Sequence, residues 1–161
     1  MRARENLWGK IMEMMLLPFK RYADFSGRSR RKEYWMWTLL QMIVVMVLYA
    51  MIMLGIPWTE LAARAQADQM GVAYTGAEPV PGVTFWAGII FLVLWIFATI
   101  IPSLAVTIRR LHDQDKSGWF YLLNFVPFGG FVLLVFFCLE GTKGPNQYGP
   151  DPLADDRATF A

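Results

Sequence analysis

The stretch WMWTLLQMIVVMVLYAMIMLGIPWT, Trp35–Thr59, contains no charged residue. A helix crossing a bilayer needs about 20 predominantly apolar residues to span about 30 Å of hydrocarbon, and this stretch is long enough. Two further uncharged blocks follow: FWAGIIFLVLWIFATIIPSLAVTI (Phe85–Ile108) and SGWFYLLNFVPFGGFVLLVFFCL (Ser117–Leu139). Three wholly apolar core helices would need far more amphipathic material around them than this chain has left. Apolar residues make up 56% of the chain and charged residues 17%, with a mean hydropathy of +0.36. Soluble domains run at about 45–50% and about 25%. The expected fold is therefore all-α: an integral membrane helical bundle with three transmembrane helices at about 34–57, 85–108 and 118–140.

The third block is the least regular. Asn124, Pro127 and the Gly129–Gly130 pair interrupt it near its middle. It reads either as one kinked crossing or as a re-entrant hairpin turning at PFGG. The crossing is the expectation, because a lipid-exposed turn has unsatisfied backbone groups unless protein surrounds it. That choice sets the side of the C-terminus.

Upstream of the first block, Leu7, Trp8, Ile11, Met12, Met14 and Met15 recur at helical spacing, broken by Lys10 and Glu13. Residues 1–21 therefore read as an amphipathic leader lying in the membrane interface, with Pro18 ending its pattern. No short apolar segment with a small-residue cleavage site precedes the first block, so that span is expected to be retained. Residues 22–152 form the membrane domain. Residues 153–161 read as a disordered tail.

Orientation follows from counting. Nine Lys and Arg residues precede Tyr34, whereas the loop Glu60–Thr84 holds only Arg64. Positive residues collect on the cytoplasmic side, which places the N-terminus inside and that loop outside. The loop opens on an Ala-rich, helix-compatible stretch and ends in Gly and Pro. Trp58 and Trp86 bracket it as interfacial anchors.

The chemistry concentrates at the inner face. Arg28, Arg30, Arg31 and Lys32 crowd the start of the first span, where a helix dipole disfavours cations, so local helix electrostatics cannot explain them. Arg109 and Arg110 end the second span, where cations suit the dipole, and Asp113 is within reach of either one turn on. Two basic groups at one level repel unless acids or an anion lie between them; Asp24, Glu33, Asp113 and Asp115 are the internal acids, and anionic lipid headgroups the external ones. Arg28, Arg30, Arg31, Lys32, Arg109 and Arg110 are thus the candidate binding residues for an anionic ligand or lipid. Glu33, His112, Asp113, Asn146 and Tyr148 form a candidate polar network. The bland reading of the cluster is a topological determinant with structural ion pairs.

His112 beside Asp113 is weak grounds for a base and acid, because adjacent helical residues point in different directions. No nucleophile triad, metal-ligand spacing or mid-membrane carboxylate pair is present, so neither a metal nor a cofactor is expected. The sole cysteine, Cys138, reads as an apolar packing residue. The tail opening GTKGPNQYGPDP (Gly141–Pro152) is turn-rich, and it lacks the Gly-Lys-Ser/Thr ending of a phosphate-binding loop.

In their order, FSGRSRRKEYW, AVTIRRLHDQDKSGWFYLL, VPFGG and GTKGPNQYGPDP resemble the domain of unknown function 805 family of small bacterial inner-membrane proteins, from about Tyr22 to Pro152. The first loop is longer than in compact members, and the leader also departs from them. The resemblance implies a multi-pass protein of the bacterial inner (cytoplasmic) membrane and carries no established activity. The expected function is a non-enzymatic membrane module whose basic cytoplasmic face takes anionic lipid or a partner protein, with no nucleic acid partner. The alternatives are an oligomeric subunit that transports or conducts a small solute, and an enzyme acting on lipid headgroups.

Overall fold

The computed structural model describes residues 2–154. Among them every extended element is a helix: α1 (Arg2–Lys20), α2 (Arg31–Leu54), α3 (Trp58–Gln69), α4 (Val83–His112), a 3-10 helix (Gly118–Phe125) and α5 (Gly129–Cys138), with one isolated β-bridge between Asn146 and Gly149. The chain divides into two units. One holds the residues up to Gln41 and those from Thr99 onward; the other is Met42–Ala98.

α2 and α4 are long and apolar enough to cross a membrane, and they match the first two sequence blocks. In the unit Met42–Ala98, the turn leaving α2 is tied down where the Gly82 amide donates to the Gly55 carbonyl at 2.8 Å. The Ala-rich stretch forms α3 as its composition suggests, with no buried residue. Arg64 pairs with Glu78 at 2.7 Å in the same connection.

In the other unit, Pro18 falls inside the last turn of α1 instead of ending the helix, which continues to Lys20. The neighbouring Phe19 sits edge-on to Trp37, with centroids 5.0 Å apart. Trp37 is buried, and its indole donates to Ser103 Oγ at 3.1 Å, satisfying the one polar atom of a large apolar side chain.

The third block departs from the expected crossing at 118–140. It folds as a hairpin of two short arms, the 3-10 helix and α5. Its start lies beside α4: a Cβ on Gly118 would be 2.9 Å from the Ile108 side chain and 3.6 Å from His112 Nε2. Its end returns there too, where Arg110 donates to the Leu139 carbonyl and the Gln114 amide to the Phe136 carbonyl.

Local sequence permits the break. Pro127 follows Val126, whose extended backbone (φ −99°, ψ 138°) is the conformation a following proline favours, and Phe128 turns into the left-handed region at φ 64°. Ser117 accepts from the Trp119 amide to cap the first arm. The arms press together so closely that a Cβ on Gly129 would lie 1.8 Å from the Leu123 carbonyl oxygen. The turn itself, residues 124–128, is exposed, and it is the α5 arm that packs on protein. Leu133 and Phe137 of α5 join Leu111 in a buried cluster, with Tyr34 and Tyr121 against it. Of the expected tail, residues 155–161 lie outside the described residues.

Candidate functional site: a buried arginine hub closed by the tail

α4 ends in the sequence Arg109-Arg110-Leu111-His112, and neither arginine has any exposed surface. Burial of two guanidinium groups demands partners, since an uncompensated buried charge is strongly unfavourable. Arg109 finds them on the segment before and at the start of α2: it donates to Glu33 Oε1 at 3.0 Å and to the Asp24 carbonyl at 2.9 Å. The amide of Ser29 returns the tie by donating to the Arg109 carbonyl at 3.1 Å. Arg110 turns the other way, to Asp113 Oδ2 three residues on and to the Leu139 carbonyl at the end of the hairpin.

Asp113 is shared. Its second oxygen accepts from Arg28 Nε at 3.0 Å, so one buried carboxylate bridges two arginines. Arg28 has further donors, and the tail takes them: the carbonyls of Thr142 and Gly144 accept at 2.6 and 2.7 Å. The Thr142 amide in turn donates to the Asp113 carbonyl at 2.8 Å. Three buried guanidiniums thus meet two buried carboxylates, Glu33 and Asp113, and the dipoles of tail and turn carbonyls offset the remaining positive charge. The fit leaves no room for a side chain at Gly141, where a Cβ would stand 2.0 Å from Asp113 Oδ2.

The polar network read from the sequence assembles around this hub. Asn146 Nδ2 donates to the His112 carbonyl at 2.9 Å, and its Oδ1 accepts from the Tyr148 amide at 2.9 Å. The Tyr148 ring stacks flat on the His112 imidazole, 3.8 Å between centroids at 3°. His112 Nδ1 lies 3.3 Å from the Gly27 carbonyl, which can only accept, so Nδ1 carries the proton. The His112 and Asp113 side chains therefore serve different partners, as expected of neighbours on a helix.

Just outside the hub, Asp24 ties the turn before α2. Its Oδ1 accepts from the Ser26 hydroxyl and amide, and its Oδ2 accepts from Arg21 at 2.7 Å. The Ser26 hydroxyl, then Arg21, hold its carboxyl down from the ordinary 3.8 to about 2.

The remaining candidate residues lie at the rim. Arg31 is half-exposed, donating to Glu140 at 3.0 Å and to the Cys138 carbonyl at 3.2 Å. Arg30 and Lys143 help line a cleft of about 360 Å³ with Arg28, Asp151 and Glu140. Lys32 is exposed and makes no ion pair among the described residues. It borders a second groove, of about 610 Å³, with Arg31 above an apolar floor of Ile11, Met14, Trp35 and Met36.

Six residues read as one basic patch are therefore of two kinds: Arg28, Arg109 and Arg110 are buried and engaged, while Arg30, Arg31 and Lys32 stay accessible. Of the acids placed between the two basic groups, Glu33 and Asp113 pair directly and Asp24 contributes its carbonyl. Asp115, at φ 57° in the turn after α4, has no ion pair among the described residues. The sequence did not point to Thr142 and Gly144, whose contribution is backbone carbonyl and leaves no side-chain signature. Gly141 was legible only as a turn residue.

Comparison with known proteins agrees with the resemblance. The family model described as "Protein of unknown function (DUF805)" matches residues 22–150. The Escherichia coli (strain K12) protein named "Inner membrane protein YhaI" is 41% identical over 145 residues, covering 88% of this chain and 96% of the relative. "Inner membrane protein YhaH" of the same organism is 37% identical over 143 residues, covering 88% and 97%. "Uncharacterized protein YiiR", also from Escherichia coli (strain K12), is 25% identical over 157 residues, covering 80% and 85%. No solved structure matches the chain.

Proposed function

The chain belongs to the family of proteins of unknown function DUF805, and from that premise we propose that it is a non-enzymatic module of the bacterial inner membrane that holds anionic phospholipid at its cytoplasmic face. In this reading α2 and α4 are the two crossings, α1 lies in the interface, and the arginine hub stands on the inner side. The excess of Lys and Arg before Tyr34 supports that orientation, and the names of the relatives support the membrane.

One observation carries the ligand. The groove bordered by Arg31 and Lys32 joins a cationic rim to an apolar floor containing Trp35, a residue type that favours the headgroup level. A glycerophospholipid has the complementary form, with an anionic head above acyl chains. Each buried arginine already has a carboxylate partner in the protein, so the headgroup falls to the rim cations. Each Lys or Arg near an anionic surface contributes about 1 kcal/mol, or roughly a five-fold change in partition.

The test is native mass spectrometry of the purified protein after exchange into mixed phosphatidylglycerol and phosphatidylcholine. Lys32→Gln with Arg31→Gln lowers the retained phosphatidylglycerol relative to phosphatidylcholine, and Glu140→Gln, which releases Arg31, raises it. Equal retention across the three proteins refutes the lipid reading.

A further inference from the structure

Beyond the charged hub lies a cavity of about 250 Å³ between α2, α4 and the two arms of the hairpin. Its walls include Tyr34, Thr107, Tyr121 and Asn124, with Leu133 and Phe137 as apolar surface. Thr107 is five residues before His112, about 7.5 Å further along α4 at 1.5 Å per residue. The cavity therefore borders the stretch of α4 that the apolar pattern assigns to hydrocarbon.

The polar groups in it are unevenly employed. Thr107 has its hydroxyl committed to the Ser103 carbonyl at 2.7 Å. The Tyr121 hydroxyl has no hydrogen-bond partner among the described residues, and neither has the carboxamide of Asn124, a residue exposed where the cavity opens. In hydrocarbon an unpaired carboxamide is costly, and non-helical or re-entrant segments persist at such depth where they line a cavity that satisfies them. No residue in the lining is charged at neutral pH, so the cavity offers nothing to neutralise an ion. Its volume is below the roughly 300–1,000 Å³ of pockets for drug-sized ligands, whereas a water takes about 30 Å³.

We propose that this cavity is a hydrated site that admits small uncharged hydrogen-bonding molecules, of the size of a short polyol, using the Asn124 carboxamide and the Tyr121 hydroxyl as donors and acceptors. The site is separate from the groove of Arg31 and Lys32. It shares with the lipid reading only the membrane placement of α2 and α4.

Gly130 gives a probe for it. A Cβ there meets only Asn124 Oδ1, at 3.8 Å, an ordinary contact, so Gly130→Cys sets a thiol beside the carboxamide without strain. In a Cys138→Ser background this is the only thiol, because the native cysteine is the sole one in the chain. Modification by methyl methanethiosulfonate, a small uncharged reagent, needs the thiolate, hence water at the sulfur. Gly130→Cys is expected to react at least about ten-fold faster than Phe125→Cys or Phe131→Cys, which replace exposed apolar side chains of the same hairpin. Molar glycerol is expected to slow Gly130→Cys but not Gln147→Cys in the exposed tail.

A Gly130→Cys rate as low as that of Phe125→Cys overturns the proposal, because lipid then fills the cavity. Rapid copper-phenanthroline cross-linking between two copies at Gly130→Cys also overturns it, since a second chain then occupies the space. Equal slowing of both thiols by glycerol removes the solute and leaves no ligand beyond water. Leu134→Cys, a lining position that carries no polar group of the site, repeats the measurement, so a folding defect in one variant does not leave the question open.

Discussion

Arg28 and Asp113 stand 85 residues apart in the chain and 3.0 Å apart in the fold, both buried. The same carboxylate holds Arg110, and the same guanidinium holds two carbonyls of the tail. One ion pair therefore ties together the segment before α2, the end of α4 and the chain after the hairpin. This makes the hub the joint of its unit, and its energetics differ from those of a surface pair.

Removing Asp113 leaves two buried cations without a carboxylate. Breaking a buried pair by deleting one partner costs about 3–5 kcal/mol, whereas exposed pairs contribute about 0–1 kcal/mol. Asp113→Ala should lower the thermal midpoint of the detergent-solubilised protein sharply, and Glu140→Gln, which breaks only the half-exposed contact with Arg31, should barely move it. Comparable midpoints in the two variants would deny the hub its structural role.

Gly141→Ala should behave like the loss of Asp113 although it removes no charge. A methyl group there would overlap Asp113 Oδ2, so the tail must lift away or the carboxylate must leave Arg110. Limited proteolysis checks this: cleavage between Gly141 and Pro152 should accelerate in the variant, whereas Gly144→Ala, whose Cβ meets nothing within 4 Å but which sits at φ 80°, should show a smaller effect.

The tail is also held by a side-chain clasp. Asn146 joins the His112 carbonyl to the Tyr148 amide, and Tyr148 closes over the His112 ring. Asn146→Ala should raise amide exchange across Thr142–Tyr148 while leaving α4 protected. Unchanged exchange in the tail would show that the stacked rings suffice without the carboxamide.

The hairpin makes a topological prediction. Both ends of the third block lie beside the end of α4, so the chain leaves α5 on the side of the arginine hub. A fluorescent-protein fusion to Ala161, in the proposed orientation, should fluoresce in the cytoplasm, and a thiol at Gln147→Cys should resist an impermeant reagent added to intact cells. Labelling from outside would restore the single crossing.

Acid should loosen the turn before α2. Asp24 has its carboxyl lowered to about 2, first by the Ser26 hydroxyl and then by Arg21. A depressed folded-state value means the contribution is complete above the unfolded value near 3.8 and is lost as pH falls from there toward 2. Ser26→Ala should bring the Asp24 titration, followed by the carboxyl carbon shift, back toward 3.8; an unmoved midpoint would transfer the effect to Arg21.

Helix class, the two long apolar segments and the concentration of cations at one end are consequences of composition along the chain, and a linear reading captures them. Segments of more than twenty uncharged residues are read directly along the chain, and the Lys and Arg count before Tyr34 needs no partner to be meaningful. The divergence of His112 from Asp113 was also legible, because it is a property of neighbouring residues.

What tertiary structure alone decided is where the third block turns back and what the arginines do. Pro127 and Gly129 permit either a kink or a hairpin; contacts distant in sequence, Arg110 to Leu139 and Gln114 to Phe136, select the hairpin. The patch of six basic residues divides into buried and accessible members for the same reason. Charge is written in the sequence, but desolvation depends on which distant carbonyls and carboxylates fold against each guanidinium, and those partners exist only once the tail has returned to Asp113.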